Sequence, residues 1–150
     1  MRRFRFRLER VLRYRETREQ IAYRAVQEAA HQRAQLQAQI RALTEQMRQL
    51  ASAALTPNEW AQRERTLDAL QTRLQRLQDT LPLLLAQEAH AREVYLQARR
   101  EREALTQLRL RAHEQHQQEI SRLIQNAIDE AAVYAYQRRL SEDTGAGADD

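Results

Sequence analysis

From Leu8 to Ala54 the positions 8, 12, 15, 19, 22, 26, 29, 33, 36, 40, 43, 47, 50 and 54 alternate spacings of four and three, and eleven of those fourteen are apolar. Such a stripe is the seam of a coiled coil, and its period of about 3.5 residues, shorter than the 3.6 of a straight helix, implies a left-handed supercoil. The seam is richest from Leu36 through Ile40, Leu43 and Met47 to Leu50; Arg15, Glu19 and Arg33 interrupt it nearer the start, where Ala22 and Ala29 are small. A second series opens at Trp60 and, after Arg63, places Leu at 67, 70, 74, 77, 81 and 84.

Between the two series lies Thr56-Pro57-Asn58-Glu59-Trp60. A Thr that can cap, a Pro at the first helical position and a Glu three residues after the Thr form a helix start. The pattern therefore predicts an all-α fold, a long antiparallel two-helix coiled-coil hairpin with its turn near residues 55–57. Paired about that turn, the series interlock in layers whose residue numbers sum to 113 or 114: Met47 with Leu67, Leu43 with Leu70, Ile40 with Leu74, Leu36 with Leu77, Ala29 with Leu84, Ala22 with Ala91 and Leu8 with Leu105. Each buried Leu contributes roughly 1.5 to 3 kcal/mol, so the half near the turn should hold the hairpin together. Layers such as Val26 against Glu88 and Leu12 against Arg102 predict a looser half near the termini.

At the N-terminus Phe4, Phe6 and Leu8 alternate with Arg3, Arg5 and Arg7, a strand-like period that passes into the helical one at Leu8, Val11 and Leu12. The reading is a helix starting between Phe4 and Arg7. Pro82 either kinks or ends the second helix, because it removes a hydrogen bond and crowds the carbonyl of Gln78. The unbroken Leu81 to Leu84 spacing favours a kink; the alternative is a third helix starting at Pro82 and a short three-helix bundle. Beyond about residue 110 the pairing leaves no partner in the first helix, so roughly thirty residues would overhang by about 45 Å. Their apolar residues Leu123, Ile124, Ile128, Val133, Tyr134 and Tyr136 need another surface to cover them. Residues 1–140 are expected to form a single coiled-coil domain, and Ser141 to Asp150, with both glycines, an acidic disordered tail.

Composition sharpens this picture. Two Gly, two Pro, 5% aromatic and 31% charged residues describe extended helix rather than a compact globule. Without Cys there is no disulfide framework or thiolate metal site, consistent with a reducing cytosol. The longest apolar run, Leu81 to Ala86, is too short to cross a bilayer. All 25 basic residues are Arg, and residues 1–24 hold nine of them against three Glu.

The chemistry sought is mostly absent. Both glycines lie in the tail, which excludes phosphate-cradling loops. His113 and His116 sit one helical turn apart, but no third ligand has a recognisable spacing, so they read as solvated on a polar face. Glu9 with Arg13, Glu59 with Arg63 and Glu88 with Arg92 look like solubilising i,i+4 pairs rather than acid/base dyads. The chain does not read as an enzyme, and no cofactor is expected. An Arg-rich first helix could meet nucleic acid through phosphates, but Glu9, Glu16 and Glu19 dilute the field and no aromatic platform accompanies it. No nucleic-acid partner is expected. A membrane-surface role is equally disfavoured, because the seam already claims the apolar stripe.

The opening Phe4-Arg-Phe6-Arg-Leu8-Glu9-Arg-Val11-Leu12, followed by Arg15 and Glu19 on an all-helical chain, resembles the flagellar export protein family FliJ and, more broadly, the coiled-coil stalk proteins of type III secretion. Asn58-Glu59-Trp60 at the start of the second arm also fits that pattern. The resemblance implies a cytoplasmic antiparallel hairpin similar to the central γ stalk of rotary ATPases, peripheral to the inner membrane at the export apparatus. It implies three partners: the hexameric export ATPase, the cytoplasmic domain of the export gate, and export chaperones that the family escorts. In the stalk analogy the terminal ends enter the ATPase ring, which assigns ATPase binding to Phe4, Arg5, Phe6, Arg10, Leu123, Ile124, Ile128 and Tyr134. A face nearer the turn would meet the gate, through Gln37, Arg41, Thr44 and Arg48 on the first helix and Thr66, Arg73 and Leu77 on the second.

Overall fold

The computed structural model describes residues 3–147 and consists of two helices, α1 (Glu9–Ser52) and α2 (Pro57–Ala146). The chain is all-α and the two helices pack as an antiparallel hairpin. It divides into two compact units, one spanning Val11–Glu103 and the other made of residues 3–10 with 104–147.

In the Val11–Glu103 unit the seam read from the pattern is the buried stripe. Every 4-3 position of α1 from Leu12 to Leu50 is buried or half-buried, as is the α2 series from Arg63 through Leu67, Leu70, Leu74, Leu77, Leu81 and Leu84 to Glu88, Ala91, Tyr95, Ala98 and Arg102. Leu12, Ala22, Leu36, Leu43, Leu74 and Ala98 form its most enclosed core. Helix α2 runs through Pro82 without a break, so no third helix starts there.

The register differs from the expected one. Arg15 pairs with Glu101 at 2.5 Å, Tyr23 stacks near Tyr95 with ring centroids 5.6 Å apart, Arg102 grips Glu19 at 2.6 and 3.1 Å, and Arg33 binds Glu88. These pairs sum to 116, 118, 121 and 121, all above 113 to 114. Glu88 therefore meets Arg33 rather than Val26, Arg102 meets Glu19 rather than Leu12, and Leu43 shares a small hollow with Arg73 and Leu77. Part of the displacement is the lean of every side chain toward its own helix N-terminus, which in an antiparallel pair raises both numbers of a contact.

The larger cause is at the turn. Residues 53–56 run back along the first two turns of α2: Arg63 Nη1 donates to the Ala53 carbonyl at 3.3 Å and Trp60 Nε1 to the Leu55 carbonyl at 3.0 Å. The hairpin's midpoint thus falls inside α2 rather than in the connector. Trp60, expected to open the seam, is 56% exposed and braces the connector instead. Half of the capping box forms: the Thr56 N–H donates to Glu59 Oε2 at 2.9 Å, while the Glu59 and Trp60 N–H groups donate to the Thr56 backbone carbonyl, at 3.0 and 3.1 Å, rather than to its hydroxyl. The Thr56 backbone N–H and hydroxyl hold the Glu59 carboxyl below its usual pKa. Glu59 is thereby committed to the cap, not to Arg63, whereas Glu88 does pair with Arg92 at 2.7 Å.

The polar residues read as interruptions of the seam find one another. Glu88, only 4% exposed, lies between Arg33 and Arg92. The hydrogen bond from Arg33 holds the Glu88 carboxyl below its usual pKa, and the bond from Arg102 does the same for Glu19, in each case against desolvation. A depressed folded pKa means the stabilisation is complete above the ordinary value of 4.5 and is lost as pH falls through the lower folded value. Thermal unfolding followed by circular dichroism is expected to be level from neutrality to about pH 5 and to shift to lower temperature in more acid solution. A midpoint unchanged down to about pH 2 would show that these pairs add nothing.

In the other unit α1 begins at Glu9, later than the Phe4 to Arg7 start read from the sequence; residues 3–6 are not helical and the Glu9 N–H donates to the Phe6 carbonyl at 3.2 Å. The period-two alternation there is real: Phe4, Phe6 and Leu8 are half-buried while Arg3, Arg5 and Arg7 are exposed. A period of two is that of a strand-like chain, and a helix from Phe4 would not produce it. Arg109 pairs with Glu9 at 3.5 Å. Helix α2 continues to Ala146, so residues 141–146 of the stretch assigned to the tail are helical, with Ser141 and Thr144 hydroxyls bonded to the Arg138 and Leu140 carbonyls. Residues 148–150 of that stretch lie outside the described residues.

Candidate partner-binding groove

Within the unit formed by residues 3–10 and 104–147, the non-helical N-terminal segment lies against α2. The Phe4 ring meets His113 edge-on, with centroids 5.0 Å apart, and is tilted against His116 at 5.5 Å. His113 and His116, read from the sequence as solvated, are therefore the seat of Phe4, with the i,i+3 spacing that puts two side chains on one helix face. Nothing in the pattern singled them out for this, since His is equally at home on a polar surface.

Beside this seat is an open groove of about 810 Å³ lined by Arg3, Phe4, Arg5, Ala112, Gln115, His116, Glu119, Ile120, Leu123 and Ile124. Its floor is apolar, Ile120 and Ile124 being one turn apart, and its rim carries two guanidinium groups and one carboxylate. Past the groove α2 offers Ile128, Val133, Tyr134, Tyr136 and Leu140, all about half exposed or more. A second, smaller hollow of about 430 Å³ lies among Asp129, Glu130, Val133, Tyr134 and Gln137. Every described residue from 121 to 147 is exposed. A helix whose large apolar side chains stay in water over this length is a surface waiting for a partner.

Four residues assigned to ATPase binding, Phe4, Arg5, Leu123 and Ile124, line the one groove. Phe6 is half-buried beside it in sequence, Arg10 is exposed, and Ile128 and Tyr134 continue along α2. Gln115, His116, Glu119 and Ile120 also line it and were not read as site residues.

The chain matches the family model described as Flagellar FliJ protein over residues 4–141. It belongs to the FliJ family. The matched span begins at Phe4, takes in all of α1 and ends at Ser141, so it covers α2 as far as that residue and every groove-lining residue but Arg3. As a FliJ family protein the chain is a component of the flagellar export apparatus. Neither the curated proteins nor the solved structures compared with it include a match. No helix among its described residues is long and apolar enough to cross a membrane.

The residues assigned to the export gate lie in the Val11–Glu103 unit and are less gathered. Arg73 and Leu77 border a hollow of about 150 Å³ with Gln39, Ala42, Leu43 and Gln46. Gln37 is elsewhere, accepting a hydrogen bond from Arg33 at 2.9 Å in a hollow with Leu85, Glu88, Ala89 and Arg92. Arg41 is exposed; Thr44 and Thr66 bond their own helix backbone through the Ile40 and Gln62 carbonyls, and Arg48 pairs with Glu45 at 2.7 Å.

Proposed function

We propose that this protein acts as a central stalk of the hexameric export ATPase, links it to the cytoplasmic domain of the export gate and escorts export chaperones. The observation that supports this most directly is the groove shared by Phe4, Arg5, Leu123 and Ile124, continued by the exposed apolar face of α2. A stalk needs an apolar surface that a ring can enclose, and these residues, all within the family-matched span, offer one. The gate contact is assigned to the exposed polar surface around Arg41, Arg48 and Arg73.

The test is binding of purified export ATPase to the full chain and to a chain ending at Leu110. The full chain is expected to bind and to raise the rate of ATP hydrolysis, and the shortened chain to do neither. Absence of binding and stimulation by the full chain would sink the stalk role. The same exposed face supports a second reading, a coiled-coil scaffold that dimerises through it. Light scattering that reports a monomer at every concentration argues against that alternative.

A further inference from the structure

The apolar seam of the Val11–Glu103 unit does not by itself select one register. Slid by half a heptad to layer sums of 113 to 114, Leu36, Ile40, Leu43 and Met47 would still face Leu77, Leu74, Leu70 and Leu67. A 4-3 stripe of near-uniform Leu on one helix accepts the facing stripe at any offset that keeps the two alternations in step. The charged seam residues do distinguish. After such a slide, which moves each contact by three or four residues, Glu88 would meet Ala29, Arg33 would meet Leu84 and Glu19 would meet Ala98. In the observed register Arg33 holds Glu88, Arg102 holds Glu19 with two hydrogen bonds and Arg15 holds Glu101.

We propose that these three cross-helix ion pairs are a register lock: they hold α1 and α2 at one offset of a seam that would otherwise slide. The pairs sit where Ala22, Ala29, Ala91 and Ala98 make the seam small, so the apolar contacts there are least able to resist sliding. Leaving the buried Glu88 carboxylate opposite an Ala is costly even where the net worth of the pair itself is small. Polar seam residues that specify register at the expense of raw stability are well attested in coiled coils. The lock stands on the Val11–Glu103 unit alone and is independent of the proposed ATPase contact.

Because the chain contains no Cys, introduced thiols report register directly in the full-length protein. Tyr23 and Tyr95 meet in the observed register, their ring centroids 5.6 Å apart, so Tyr23→Cys with Tyr95→Cys, bridged by a short thiol-reactive crosslinker that spans the space of the lost rings, reports that register; Tyr23→Cys with Ala91→Cys reports the slid one. Crosslinking is expected to favour the first pair strongly. Adding Glu19→Gln and Glu88→Gln should lower the ratio of observed to slid crosslinks about ten-fold or more. Exchanging one pair, Glu19→Arg with Arg102→Glu, should keep the ratio near its starting value. Helicity is measured on the same samples; if the double Gln variant loses helix, Glu19→Gln alone is read in the same way. A ratio unchanged by neutralisation in a helical protein overturns the lock, as does an equal fall in the exchanged variant.

Discussion

Replacing Leu43 by Asp is expected to unfold the hairpin unit at ordinary temperature. Leu43 is 5% exposed and belongs to a core with few fully enclosed side chains. Removing its buried methyl groups costs about 2 to 5 kcal/mol. Seating a carboxylate in their place adds a desolvation penalty for which the hollow around Leu43, formed with Ala42, Gln39, Gln46, Arg73 and Leu77, offers a single guanidinium at its edge. Native domains have a total stability of about 5 to 15 kcal/mol, so one such change is enough to remove the fold. Leu74→Asp, at 8% exposure, is expected to behave alike, and Leu70→Asp, half-buried, to lose less. Arg5→Ala, exposed and outside this unit, should leave helix content unchanged. Circular dichroism through a urea titration separates these outcomes; equal helix loss from all the variants would mean that the seam is not the core.

That the seam could be named from the sequence while its register could not has a simple physical origin. Which face a helix buries depends on its own spacing, and the 4-3 series from Leu12 to Leu50 stands out against a background of Arg, Gln and Glu. Register depends on where two such faces meet, and nearly uniform Leu positions meet acceptably at several offsets. The information that decides it resides in residues that look like faults in the pattern: Arg15, Glu19, Arg33, Glu88 and Arg102 each break an apolar stripe and each finds an opposite charge. Trp60 misled for a related reason. It falls on the α2 stripe by spacing, but its indole N–H is needed to tie down the connector, which pulls it out of the seam.

The groove was half legible. Unpaired Leu123 and Ile124 announce an apolar surface in need of cover, and alternation at Phe4 and Phe6 announces a segment with one face turned inward. That the two come together, with His113 and His116 under Phe4, depends on tertiary placement of a non-helical segment, for which the sequence carries no periodic signal. The helix start was misplaced for the same reason: a three-residue alternation is too short to outweigh the helical pattern that follows it, yet it governs the backbone locally.

Replacing Leu123 and Ile124 together by Gln is expected to weaken binding of the export ATPase on the order of a hundred-fold, without loss of helix. Both side chains line the groove, at 68% and 44% exposure, so the free protein loses little by their removal. Gln is as good a helix former as Leu is within a few tenths of a kcal/mol, which keeps the backbone of α2 out of the comparison. In a complex the same side chains would be fully desolvated, and apolar anchors at the centre of an interface carry about 1 to 2 kcal/mol or more each, or roughly ten-fold in affinity for every 1.4 kcal/mol. Ile21→Gln is the matched control: it removes an equally exposed apolar side chain, 59% exposed, from the other unit and should leave affinity unchanged. Affinities are read by titrating purified export ATPase, with circular dichroism on each variant. Equal affinity for the wild-type and double-Gln chains would mean that the groove is not the surface the ATPase meets, whereas equal weakening by Ile21→Gln would mean that the contact is made by apolar surface without regard to place.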